Sequence, residues 1–175
     1  MKASRRRFIQ VGVAGAALLA AVRWLDAPGR AWAAPGFRLD TGASEVIRAL
    51  VPVVLAGALP NDTATRAKAI DEIVEAFARA VGGLAPAIQE EIAEMLSLLA
   101  FAPTRITVAG VTSAWRDASP RDIAAFLDDW RTSRFELKRA GSRALTQLIQ
   151  GAWFDNPLAW AVIGYPGPPK VAPPA

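Results

Sequence analysis

The chain has 175 residues, 53% of them apolar, with neither cysteine nor histidine. That absence excludes disulfides, zinc sites of Cys/His type, haem attachment through C-x-x-C-H and acid–base catalysis by histidine. Up to Ala33 six basic residues meet one acid, a net +5, while the remainder holds 14 basic against 15 acidic, a net −1, so there is no basic domain to bind nucleic acid.

The N-terminus reads Ser4-Arg5-Arg6-Arg7-Phe8-Ile9-Gln10, the pattern S-R-R-x-F-hydrophobic-polar of a twin-arginine (Tat) export signal. The apolar run Val11 to Val22 follows. It is too short to cross ~30 Å of hydrocarbon and suits a signal h-region. Its Ala/Gly-rich, moderately apolar character favours Tat over the general secretory route. Ala31 and Ala33 supply small residues at −3 and −1, which places cleavage after Ala33. Retention of the leader as an anchor is the alternative, and Arg23 and Asp26 do not decide between them. Residues 1–33 are therefore read as a signal peptide for folded export to the periplasm, membrane association staying open, and 34–43 as a linker.

The domain expected over 44–169 is helical with short breaks. Ser44–Ala58 is an apolar segment too short for a span and is expected as a buried core helix, with Pro52 kinking it or starting a new one. Asp62 or Thr63 opens a long helix to about Val81, with Ile70, Ile73, Val74, Phe77 and Val81 at helical spacing and Gly82-Gly83 as the stop. Pro86 stands at a first-turn position. Ile88, Ile92, Met95, Leu96 and Leu99 make the next stripe, and Glu90, Glu91 and Glu94 its solvated face. Phe101–Ala118 reads as a loop because of Pro103, Gly110 and the β-prone Ile106-Thr107-Val108, with one helical turn near Val111–Trp115. Ser119-Pro120-Arg121-Asp122 is a helix-start signature for Ile123, Phe126, Leu127 and Trp130. The helix continues, or breaks briefly near Thr132-Ser133, into Phe135–Ala152, with Leu137, Leu145, Leu148 and Ile149 inward. Asn156-Pro157 caps one last short helix. Gly164 to Pro169 ends the fold in a Pro/Gly-rich extended tail, and 170–175 is read as disordered. No strand alternation or repeat is visible. The fold class is all-α, a small irregular helical bundle.

Chemistry of the chain's own is thin. Gly82-Gly83 and Gly164-x-x-Gly167 lack the strand–turn–helix frame of a nucleotide loop. Asp128-Asp129 and Glu90-Glu91 are adjacent helix positions about 100° apart, which do not converge on one substrate. A serine could be activated only by Lys68, Lys138 or Lys170, and no spacing suggests it. No catalytic, cofactor-binding or metal residue is assigned. The unusual residues are Trp115, Trp130, Trp153 and Trp160, with Phe154, Tyr165 and several arginines nearby. Trp, Tyr and Arg are enriched at interface hot spots. Trp130, Trp153, Trp160, Tyr165, Pro166, Gly167 and Pro168 are the expected partner interface. Tat export serves proteins that take up a cofactor before leaving the cytoplasm. A chain without cofactor ligands then points to a partner that holds one.

The C-terminal stretch Leu127-x-x-Trp130-x-x-Ser133, Arg139, Leu145-x-x-Leu148 and Phe154-x-x-Pro157-x-x-Trp160-x-x-Ile163-Gly164-Tyr165-Pro166-Gly167-Pro168 resembles the small-subunit family of gluconate 2-dehydrogenase, subunit 3 type. The likeness covers roughly 42–169, and the Trp–Gly-Tyr-Pro-Gly-Pro ending is its most specific part. It implies a non-catalytic accessory subunit. Its partners would be a large flavoprotein of the glucose–methanol–choline (GMC) type carrying FAD, a cytochrome c subunit in some complexes, and the Tat translocase. The small subunit would assist maturation of a large subunit that lacks its own signal and carry it through export. Without cysteine no covalent link between subunits is available, so association would rest on packing. The competing expectation is a stand-alone periplasmic binding module with an apolar pocket between its helices.

Overall fold

A computed structural model describes residues 37–166, and every regular element among them is helical. In chain order these are α1 (Thr41–Val54), α2 (Thr63–Gly82), α3 (Pro86–Ala100), α4 (Pro120–Thr132), α5 (Glu136–Phe154) and α6 (Pro157–Ile163). A helical turn (Ala102–Thr104), a π-helical turn (Arg105–Ala109) and a 3₁₀ turn (Trp115–Asp117) join α3 to α4. The all-α bundle is the architecture the periodicity implied. The expected twin-arginine signal (Ser4, Arg5, Arg6, Phe8), the expected cleavage at Ala31 and Ala33, and Gly167, Pro168 and the tail lie outside the described residues.

α1 is the hub: α2, α3, α4 and α5 all pack against it. Val46, Ile47, Leu50 and Val51 are fully buried there. Burying such side chains is worth about 1.5–3 kcal/mol each, which explains why the apolar face of this helix sits at the centre, while its two charged residues, Glu45 and Arg48, form ion pairs with Arg116 and Asp71. The helix begins earlier than 44, inside the segment read as linker. Asp40 caps it, its Oδ1 accepting from the Ala43 amide at 2.7 Å. Ala43 is buried, and Phe37 and Leu39 pack on the core. Pro52 lies within the last turn, where it removes one amide donor, and the helix ends two residues later.

α2 and α5 form the most extensive helix pair, with α4 against α5 beside it. Asp62 caps α2 through the Thr65 amide and hydroxyl, both at 2.7 Å. These bonds hold its carboxyl below the usual carboxylate range. Ile73, Val74, Phe77 and Val81 point into the core, as their spacing required. Ser119 caps α4 by accepting from the Asp122 amide. The chain breaks at Ser133, which is extended, and Arg139 Nη1 donates back to the Ser133 carbonyl at 2.6 Å, so α4 and α5 are separate helices.

Three expectations need correction. The stretch 101–118 is a loop only in its second half, where a 3₁₀ turn at Trp115–Asp117 stands close to the one expected near Val111–Trp115; its first half is helical. Ile106, Thr107 and Val108 wind into a π-helical turn that leaves α3 at 81°. Arg105 closes that turn: its carbonyl accepts from the Val111 amide, and its Nε donates to the Val111 carbonyl at 3.3 Å. Gly110 supplies the left-handed residue the closure needs, at φ 72°. The second correction is Leu137, which is 85% exposed rather than inward. It occupies the first turn of α5. The third is Ile88, likewise in the first turns of its helix and exposed.

Candidate functional site

The tryptophans divide into two groups. Trp115, Trp130 and Trp153 are buried, at 2%, 5% and 3% exposure. Trp130 and Trp153 were expected at the partner interface; they are core residues. Trp130 follows Phe126 by one turn and Trp153 follows Ile149 by one turn, so both share the inward face of their helix. Trp115 and Trp130 pack edge-on against Phe126, with centroids 5.6 and 4.9 Å away. Their indole N–H groups have structural work. Trp115 Nε1 donates to the Leu99 carbonyl at 2.7 Å, and Trp130 Nε1 to the Val108 carbonyl at 3.2 Å. Carbonyls at helix ends have no intrahelical donor, and a buried indole supplies one.

Trp160 builds the surface that remains. Asn156 caps α6, its Oδ1 accepting from the Leu158 amide at 2.9 Å. Its Nδ2 donates to Glu72 Oε2 at 2.8 Å, which fixes the start of α6 to α2. Trp160 Nε1 then donates to the Phe154 carbonyl at 2.7 Å, tying α6 back to the end of α5. Gly164 takes the left-handed conformation at φ 69°, and the Tyr165 amide reaches the Trp160 carbonyl at 2.9 Å. This is the 6→1 bond of a Schellman ending. It folds Tyr165 onto Trp160 edge-to-face, with centroids 5.9 Å apart.

The result is an aromatic cluster held by backbone geometry. Phe154 is 55% exposed, Tyr165 43%, Pro166 exposed and Trp160 half-buried. Of the residues expected at an interface, the structure brings Trp160 and Tyr165 together, with Pro166 following, and the exposed Phe154 is joined to them through its backbone carbonyl. Helical phase could have found Phe154: if Trp153 follows Ile149 inward, its neighbour must face out.

A cleft of about 230 Å³ lies beside the cluster, lined by Glu72, Glu75, Arg79, Asp155 and Asn156 with Ala76, Ala152 and Pro157. It contains no hydroxyl or thiol nucleophile. Among the described residues no group of three or more His, Cys, Asp or Glu side chains could hold a metal ion. The arrangement can present a rigid aromatic and proline surface to another molecule. Nothing in it assembles a nucleophile with a base. No family model, no curated protein and no solved structure matches this chain.

Proposed function

We propose that this chain is the non-catalytic small subunit of a periplasmic, flavin-dependent dehydrogenase. It would aid maturation of a large GMC-type subunit and carry that subunit through the Tat pathway. FAD would belong to the large subunit, and a cytochrome c could complete the complex. The observation that carries the reading is the exposed Phe154–Trp160–Tyr165–Pro166 cluster, which falls on the most specific part of the sequence resemblance. Exposed aromatics held rigidly lose little entropy on binding, which suits them to anchor a partner. The twin-arginine motif on a chain without cofactor ligands is the second support.

The stand-alone binding module needs an apolar pocket between helices. The cleft beside α6 is lined mainly by charged and amide side chains, so no observation favours that reading. The test is a tagged chain co-expressed with a signal-less GMC-type flavoprotein from the same genome. The wild type is expected to retain that flavoprotein on the tag, and Phe154→Ser/Tyr165→Ser to lose it with unchanged helicity. Retention by the double variant would refute this cluster as the contact.

A further inference from the structure

The two ends of α5 carry separate exposed apolar groups. A helix of 19 residues is about 27 Å long. Phe154 at its C-terminus and Leu137 in its first turn therefore cannot share one small contact. Leu137 is 85% exposed, and Phe135 in the α4–α5 turn is 50% exposed. Together they form a protruding corner rather than a flat face.

The corner is also charged. Between Asp128 and Arg143 there are five basic residues against three acidic ones, within a chain that is net −1 after Ala33. Each carboxylate is engaged: Asp128 by Arg131, Asp129 by Lys138, and Glu136 by both Arg139 and Arg143. Arg134 makes no ion pair among the described residues, and its guanidinium lies 4.8 Å over the Phe135 ring. Apolar tips thus project from a collar with cationic excess. Among the described residues no single helix is long and apolar enough to cross a membrane.

We propose that this corner docks on an anionic lipid surface, with Phe135 and Leu137 entering the headgroup–acyl boundary and the basic collar meeting the lipid phosphates. Apolar side chains beside cations are the composition that such surfaces hold, through apolar burial and charge together. A protein partner would need a broader patch, on the order of 800 Å² per side, with an aromatic centre. The cluster at the far end of α5 carries more exposed aromatic side chains than this corner, whose one exposed aromatic is Phe135. The lipid contact stands apart from the subunit reading. With both in place, the chain links a flavoprotein at one end to a membrane at the other.

The absence of cysteine gives the test a single labelling site. Full-length Leu137→Cys carries an environment-sensitive fluorophore and is mixed with vesicles of phosphatidylglycerol and phosphatidylcholine. Phe154→Cys is labelled in parallel, because the apolar leader can itself bring the chain to vesicles and only the contrast between positions is informative. The label at 137 is expected to shift to the blue and brighten severalfold, with no change at 154. High salt or pure phosphatidylcholine should abolish the response. Arg134→Glu, which changes two charges, should raise the anionic lipid concentration needed by roughly thirtyfold. Equal responses at 137 and 154 would overturn the proposal. So would a label at 137 that stays in water or responds equally to neutral vesicles. No flavoprotein takes part, so failure here leaves the subunit reading to its own experiment.

Discussion

Gly141 offers the sharpest test of how the core is built. It sits in mid α5 against Trp130 of α4. A Cβ added there would lie 2.7 Å from Trp130 Cζ3 and 3.0 Å from Met95 Sδ. The thioether can move, but the indole is pinned by its bond to Val108 and by Phe126. Replacing a mid-helix glycine by alanine normally stabilises by about 1 kcal/mol. Overpacking a closed core costs about 1–3 kcal/mol, and a contact this short against a fixed ring belongs at the upper end. Gly141→Ala should therefore lose a net 1–2 kcal/mol, as an order-of-magnitude figure. Gly151 in the same helix is the control, since a Cβ there meets nothing within 4 Å. Gly151→Ala should gain up to about 1 kcal/mol. Urea unfolding followed by circular dichroism measures both, and the two variants should differ by roughly 2–3 kcal/mol. If Gly141→Ala is as stable as Gly151→Ala, the close approach of α4 and α5 through Trp130 is misdescribed.

Other predictions address the caps and the charged corner. Trp115→Phe leaves the Leu99 carbonyl without its donor at a site 2% exposed, and should cost about 1–3 kcal/mol in the same unfolding assay. Asn156→Ala removes both the α6 cap and the bond to Glu72; it should cost about 1–2 kcal/mol and speed hydrogen exchange across α6. Partner binding should weaken with it, although no residue of the aromatic cluster has changed. Glu136 has its carboxyl held below the ordinary value, first by the Arg143 hydrogen bond and then by Arg139. A carboxylate with a depressed folded pKa stabilises above its unfolded value and loses that contribution as pH falls through the folded one. Glu136→Gln should thus be the less stable chain at neutral pH, with the gap closing in acid and shrinking in high salt. A gap that persists through acid titration would contradict this.

The helix pattern was legible because caps and periodicity agreed. Asp62, Ser119 and Asn156 each stand where their side chain receives an amide, and the apolar spacings after them mark the buried faces. What spacing does not encode is how far a neighbour extends. Leu137 is in phase with Gly141 and Leu145, yet it is 85% exposed while Leu145 is fully buried. The π-helical turn at 105–109 was hidden for a related reason. Its β-branched residues read as loop or strand locally, and the bonds that close it involve Val111 and Gly110 outside the turn. Trp130 and Trp153 were assigned to an interface by residue type. Their phase already placed them with Phe126 and Ile149, and geometry outweighs type when the two disagree. The aromatic cluster was partly legible, since Tyr165 and Pro166 follow a helix-ending glycine and must leave the bundle.

Export of the partner tests the central claim most directly. The chain would be co-expressed with a signal-less GMC-type flavoprotein from the same genome, once with the native leader and once with Arg5→Lys/Arg6→Lys. Periplasmic dehydrogenase activity and the location of both polypeptides would be measured. The account predicts that both chains reach the periplasm with the native leader, and that both remain in the cytoplasm with the variant. Full periplasmic activity with the lysine variant would contradict it.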